Sequence, residues 1–509
     1  MPPSAGRAST GRPGRPTPRA PRETDGSTRV PARGRSEGGS VRPTQHAVVL
    51  GGGLAGTLAA AALARHLDTV TIVERDVMPE GPGPRRGVPQ ARHSHLLWSG
   101  GARAVEELLP GTTEALLAAG ARRVELPDGL VLLTAHGWLP RWSGSQFMVA
   151  CSRDLLDFTV RRRVLRVPGV ELREGVRAVG PVGTAERITG VRVRDERTGE
   201  TFVLEADLVV DASGRASRAD RWLTGLGLPP VREETVDSGL AYATRIFRAP
   251  ATAGEDFPVI TIQADPRDGE PGRGAVLLPI EGDRWLVTIS GTRGGEPPTE
   301  EGEFVEFARN LRSPVVAELI DGAEPLTPIH GSHSTANRRR YFERLRVWPD
   351  GFVVLGDAVA AYNPVYGQGM SVLAQGAVAI GRIVGRHGLR PGTARRAQRA
   401  VARPVNGAWM TAVGQDVQFP DVVGPRPSAV DRLLVRYVDR LVRTAASRPT
   451  AAEAFLEAFS LSGPMTRMVG PKALLATLLG PTGPAPAAPT LTADEYARAR
   501  GTGSAGSTV

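Results

Sequence analysis

The sequence predicts a mixed α/β (α+β) fold: a Rossmann-like parallel-sheet domain, a second domain built on an antiparallel sheet, and a helical C-terminal region. Three stretches predict it. HAVVLGGGLAGTLAAAALARHL followed by TVTIVERD reads as strand, glycine turn, helix, strand and acid. FVVLGDAVAAYNPVYGQGM, about 300 residues downstream, reads as another strand, loop and helix start. Between them, LAYATRIFRA, PVITIQA, GAVLLPIE and RWLVTISG carry alternating apolar residues within 239–292, the pattern of an antiparallel sheet.

In the first stretch Gly51 permits a tight turn after the apolar strand His46–Leu50. Gly53 has no Cβ to hold a pyrophosphate off the backbone, and Gly56 lets the helix pack close to the strand. The helix start, at Leu54 and Ala55, offers free N–H groups and a partial positive charge. Glu74, 23 residues after Gly51 and followed by Arg75, stands where a carboxylate accepts hydrogen bonds from ribose hydroxyls. A dinucleotide cofactor is therefore expected, held by Gly51, Gly53, Leu54, Ala55, Gly56, Glu74 and Arg75.

The other elements follow in order. RRGVPQARHSHLLWSGGARAVEELLPG has helical spacing in its second half, and CSRDLLDFTVRRRVL reads as a helix with Leu155, Leu156, Phe158, Val160 and Leu165 apolar. VELREGVRAVG, ITGVRVRDERTGE and TFVLEADLVVDASG read as strands, the last ending at Asp211. Residues 394–480 are Ala-, Leu- and Val-rich and predominantly helical. The expected organisation is a disordered Arg/Pro/Gly-rich tail at 1–44 and a discontinuous cofactor domain at 45–235 and 335–393. A sheet domain at 236–334, a helical region at 394–480 and a flexible tail at 481–509, with a short helix near Ala493–Arg500, complete it. A translation start near Val41 would account for the first tail.

Composition narrows the function. The 509 residues carry a net charge of +10, but residues 1–44 hold nine Arg and three acids, so six of the ten excess charges lie there. Lys472 is the sole lysine, a skew that fits codon bias better than phosphate binding, and no nucleic-acid partner is expected. With Cys151 the only cysteine, no internal disulfide or cysteine metal cluster can form, and no metal site is expected. No apolar run is long enough for a transmembrane segment, no secretory signal is visible, and the cytoplasm is the expected compartment.

The second stretch decides between nucleotides. Its strand ends at Gly356-Asp357, and Asp357 can bond a ribityl hydroxyl. Gly367 and Gly369 let backbone N–H groups approach a flat ring edge, with a helix N-terminus facing the flavin N1/C2 carbonyl. Paired with the first motif, this points to FAD. Arg153, starting its helix, reaches the pyrophosphate or sits as a solvated surface residue. Asp211 borders the cofactor or caps its own turn.

Together these residues resemble the flavoprotein monooxygenases of the para-hydroxybenzoate hydroxylase fold, in the same order. RRGVPQARHSHLLWSGGARAVEELLPGTT, DSGLAYATRIFRAP, VTISGTRGGEPP and VVLGDAVAAYNPVYGQGMS are similar to the flavin-dependent epoxidases of polyether ionophore biosynthesis, the lasalocid and monensin type. The resemblance implies a Rossmann-like FAD-binding domain in which Pro364, Gly367, Gly369 and Met370 line the flavin ring. Arg86, Gly87, Val88 and Gln90 would lie near its other edge. It further implies epoxidation of a linear polyketide polyene, with oxygen transfer by a flavin C4a-hydroperoxide and no catalytic side chain. NADPH or NADH, directly or through a flavin reductase, and O2 are the implied co-reactants; a carrier protein is a further implied partner.

Such chemistry needs a dry chamber. Tyr242, Ile246, Leu277, Leu278, Trp285, Val287 and Ile289 are the expected substrate-pocket residues, with ordinary sheet core as the competing reading of each. His93 and His95 would hold a proton or, as the favoured reading, hydrogen-bond within their loop. The competing functions are aromatic hydroxylation on the same fold and a basic non-enzymatic binding protein.

Overall fold

The computed structural model describes residues 44–333 and 335–501. The tail expected at 1–44 lies, but for Thr44, outside the described residues, as do the last eight residues of the tail expected at 481–509.

The sheet that organises the molecule has five parallel strands in the order Phe352–Val354, Leu208–Asp211, His46–Leu50, Thr69–Val73, Val170–Arg173. Val48 pairs with Val209 on one side and Thr71 on the other, and Val210 with Val353. Four of these strands are short apolar runs buried on both faces, and only the edge strand Val170–Arg173 alternates with exposed charges. All four ends that matter, Leu50, Val73, Asp211 and Val354, finish at the same carboxyl edge. The turns at 51–53, 74–76, 212–214 and 355–357 therefore cluster, although three hundred residues of chain separate the first from the last.

The helix Leu54–Leu63 is buried along its whole length between this sheet and the helix Gly369–His387. Its alanines permit that contact: a Cβ on Gly381 would already stand 3.1 Å from Ala62 Cβ.

A second sheet has seven strands in the order His330–Ser332, Ala241–Arg248, Arg284–Gly291, Arg273–Ile280, Val259–Ile262, Leu130–Thr134, Gly137–Trp138. The last two come from outside the expected 236–334 segment; Leu130–Thr134 pairs in parallel with Val259–Ile262. One face of the sheet is covered by the helices Glu301–Arg309 and Val315–Ile320, through Phe304, Val316 and Ile320. The other faces the first domain and the C-terminal helices Thr393–Asp416, Ala429–Ala445, Pro449–Phe459 and Pro471–Leu479.

The segment 481–501 is not loose, contrary to expectation. Glu495 forms a bidentate pair with Arg141 at 2.7 and 2.8 Å, Tyr496 bonds Glu318 at 2.7 Å, and Ala499 joins the core under the second sheet. Proline and glycine there make an extended strap rather than a free end. The helix Ala493–Ala499 opens with a Thr492–Glu495 capping box.

Candidate functional site: a nucleotide crevice joined to an apolar chamber

A cavity of about 840 Å3 lies at the carboxyl edge of the parallel sheet. Gly51, Gly53, Leu54 and Ala55 line it. Gly51 has φ +99°, and a Cβ there would also stand 2.8 Å from the Ala212 carbonyl oxygen. Gly56 lies behind the wall: its Cβ would fall 1.8 Å from the Gly51 oxygen, so it permits the turn rather than touching a ligand. Gly53 caps the helix without a side chain, and no acid occupies the first turn. The first-turn amides thus face the cavity ready for an anion.

Glu74 is buried in the wall and accepts from the Gly52 N–H at 2.7 Å and the Asp76 N–H at 3.0 Å. Arg75 lines the cavity beside it, pairing with Asp76 at 3.7 Å. Gly87, Val88 and Gln90 line it, but Arg86 does not: its side chain is exposed to solvent. The neighbouring Arg85 takes the inward place, 3.5 Å from Glu74, with a buried Nε that has no acceptor among the described residues. The acid selects which of two adjacent arginines turns inward, and nothing in the RR dipeptide indicates it.

Arg153 is buried, lines the cavity and is oriented by Asp157 at 2.7 Å. Asp211 does not line it. Its carboxylate is fully buried and accepts from the Ser213 N–H at 3.0 Å and the Ser217 hydroxyl at 2.6 Å, so it caps the turn. The turn residues Ala212, Ser213 and Gly214 do reach the cavity.

Asp357 faces the cavity from the opposite strand end, and no donor among the described residues bonds its carboxylate. Burial raises its pKa, while Arg215, Arg153 and Arg338 favour the charged form. Pro364, Gly367, Gly369 and Met370 complete that wall. Gly367 has φ +63°, and a Cβ would press to 3.1 Å from Leu96 Cβ. The helix Gly369–His387 begins without an acid or a side-chain cap.

Two uncapped helix starts, a carboxylate lacking a donor and a buried arginine N–H lacking an acceptor are complementary to a dinucleotide with ribityl hydroxyls. The residues present fit FAD.

A second cavity, about 640 Å3, adjoins the first. His93, Ser94, Leu96, Tyr242, Asn363 and Pro364 border both. Its walls are chiefly apolar, including Leu132, Leu240, Val276, Trp409, Val435 and Phe459. At the junction His93 Nδ1 lies 2.8 Å from Thr244 Oγ1 and its ring meets Tyr242 edge-on at 4.2 Å. Burial, with His330 and Arg92, lowers its pKa to about 4. His95 Nδ1 lies 2.9 Å from the His93 carbonyl oxygen, and burial, then Arg153, lowers its pKa to about 3. Both rings are neutral near pH 7 and act as hydrogen-bonding groups.

Of the seven expected pocket residues, Tyr242 alone lines this cavity. Leu277, Trp285, Val287 and Ile289 point to the opposite face, against Phe304 and Val316. Ile246 and Leu278 share the cavity-side face but pack in the apolar cluster beyond it. Side chains alternate along a strand, so neighbours such as Val276 and Thr288 take the cavity side. The periodicity could not choose, because helices make the outer face apolar too.

One group at the junction has no clear sequence signal. Asp416, ending the helix Thr393–Asp416, accepts from Tyr366 Oη and Asn337 Nδ2, both at 2.6 Å, and from Asn363 Nδ2 at 2.9 Å. It ties down the turn that separates the two cavities.

Comparison with known proteins agrees with this geometry. The family described as FAD dependent oxidoreductase matches residues 47–220. Over 435 residues the chain is 33% identical to Protein Rv3254 of Mycobacterium tuberculosis, covering 82% of this chain and 90% of that one. It is 27% identical over 388 residues to kynurenine 3-monooxygenase of Salinispora tropica (71% and 77% covered). It is 24% identical over 339 residues to squalene monooxygenase of Rattus norvegicus (64% and 52% covered). The solved flavoprotein/dehydrogenase from Cytophaga hutchinsonii shares the fold, with TM-score 0.61, 14% identity, and 86% and 98% of the chains covered. The chain belongs to the FAD-dependent oxidoreductase family and is related to flavin monooxygenases.

Proposed function

We propose that this protein is an FAD-dependent monooxygenase that epoxidises alkenes of a linear polyketide polyene in polyether biosynthesis. The observation that carries the reading is the apolar chamber opening onto the cofactor crevice at His93, Tyr242, Asn363 and Pro364. Gly51, Gly53, Glu74, Arg85, Arg153 and Asp357 would hold FAD. Bound and reduced, FAD would supply the activation of dioxygen. The protein's part is to seat the alkene and exclude water. His93 and His95, both neutral, bring no charge to the junction, and the Asp416 carboxylate is spent on the turn. NADPH or NADH, directly or through a flavin reductase, is the proposed electron source, and the cytoplasm the proposed compartment. The likeness to squalene monooxygenase, named for a polyene, supports an alkene substrate.

Aromatic hydroxylation is the second reading. A polar chain runs beside the junction from Ser94 through Thr288 and Thr244 to His93, with links of 2.7, 2.8 and 2.8 Å. It offers an anchor for a phenol, and the likeness to kynurenine 3-monooxygenase points the same way. One experiment separates them. The FAD-loaded protein is reduced, given isotopically labelled dioxygen with a model polyene or a phenol, and the products are weighed. Labelled epoxide is expected; a labelled phenol product with every alkene untouched overturns the proposal.

A further inference from the structure

The helix Pro471–Leu479 is turned inside out. It buries Ala473, Ala476 and Thr477 and leaves Leu475, Leu478 and Leu479 at 59%, 65% and 62% exposure. The apolar stripe of a surface helix ordinarily faces the core. This one is held outward. Arg440 donates to the Thr477 and Leu478 carbonyls at 2.7 and 2.9 Å, and Arg448 to the Gly480 carbonyl at 2.6 Å. These cations satisfy the last carbonyls of the helix, so rolling the leucines inward would break three hydrogen bonds.

Other apolar side chains of the C-terminal helices are exposed as well. Val430 and Leu433 of the helix Ala429–Ala445 are exposed at 74% and 68%, and Met410 and Val469 are exposed too. Met410 and Val469 also line the apolar chamber, so apolar surface continues from the outside of the molecule to its interior. Charge is concentrated in the same region. Residues 425–480 hold eight Arg or Lys and four Asp or Glu, a net +4. Residues 1–43 hold +6 of the chain's +10, so this segment carries all the remaining excess. The chain's own ends offer little apolar cover: 1–43 and 502–509 contain only Met1, Val30, Val41 and Val509 as large apolar residues.

We propose that this face docks on an anionic lipid surface. The leucines of Pro471–Leu479 enter the acyl boundary, while Lys472, Arg467, Arg432, Arg436 and Arg443 meet the headgroups. An apolar substrate then passes from lipid to chamber without crossing water. The contact is interfacial; among the described residues no helix is long and apolar enough to cross a membrane. The docking does not depend on which reaction the site performs.

The test is flotation of the full-length, FAD-loaded protein with vesicles of phosphatidylcholine alone or mixed with phosphatidylglycerol. The protein is expected to float with the mixed vesicles. Leu475→Ser with Leu478→Ser, both on the surface, should lower partitioning roughly tenfold or more while leaving FAD absorbance and thermal unfolding unchanged. Lys472→Glu and added salt should weaken it on the anionic vesicles only. No flotation overturns the proposal. So does flotation that ignores the leucine changes, since the Arg-rich N-terminal segment would then be the binder. A leucine-dependent dimer in gel filtration without vesicle binding also overturns it and makes a second copy the cover.

Discussion

The Tyr366 hydroxyl donates a 2.6 Å hydrogen bond to the Asp416 carboxylate, joining the turn between the two cavities to the end of the helix Thr393–Asp416. Asn337 and Asn363 donate to the same carboxylate. In Asp416→Asn an NH2 replaces one carboxylate oxygen and faces the donors on that side, either Tyr366 or the two asparagines. Leaving buried donors unpaired costs about 1–3 kcal/mol each. Lower stability is expected in denaturant melts, with more hydrogen peroxide released per electron pair consumed, because the turn borders the cofactor. Wild-type values in both measurements would show that the turn is held by other contacts.

Asp357 has a different task. No protein donor among the described residues meets it, so its removal disturbs little within the fold. Asp357→Ala should weaken FAD binding by about 10–100-fold, the equivalent of one charge-assisted hydrogen bond, with unfolding nearly unchanged. Equilibrium dialysis of FAD against the variant measures it. Unaltered occupancy would remove Asp357 from the site.

Arg85 and Arg86 make a built-in control. Arg85→Ala removes a buried guanidinium beside Glu74 and should lower FAD affinity roughly tenfold or more, whereas Arg86→Ala should leave it unchanged. Titration of the apo-proteins with FAD compares them. Equal losses, or a larger loss at Arg86, would reverse the assignment.

Val276 and Leu277 test the two faces of the second sheet. Leu277 is fully buried against the covering helices, so Leu277→Ala should cost about 2–5 kcal/mol without changing which substrates are accepted. Val276 lines the chamber, and Val276→Phe should restrict substrate size while leaving FAD binding intact. Melts and competition between short and long alkenes read the two effects; the opposite pattern would mean that the chamber lies on the helix-covered side.

These residues also show how far the sequence could be read. The crevice was legible because its causes are local. Gly51 is demanded by its own φ, and strand ends at Leu50 and Val354 place their turns on one edge whatever the intervening chain does. Arg85 was not legible, since its inward turn depends on Glu74 in another loop. Asp211 was half legible: its place at a strand end was right, but the two serines that claim its oxygens decide its role. The chamber was least legible. Its inner face is set by a one-residue register between strands, and Asp416 enters from a helix fifty residues beyond Tyr366.

The two junction histidines give the protein a pH signature. His93 and His95 have pKa values lowered to about 4 and about 3, below the 6.5 of an unfolded chain. Between about pH 4 and 6.5 the unfolded state therefore binds more protons than the folded one, and stability rises with pH across that window. Asp211, Asp357 and Asp416, whose pKa values burial raises above the ordinary carboxylate value, act in the opposite sense from about pH 4 upward, within the same window. Subtraction isolates the histidine contribution. Denaturant melts of the wild type should show stability falling from pH 7 to pH 5. His93→Gln keeps a hydrogen-bonding group for Thr244 and cannot titrate, so it should lose less over the same interval. An equal loss in both proteins would mean that His93 is already free to take a proton in the folded state, and that the junction is wetter than its buried ring implies.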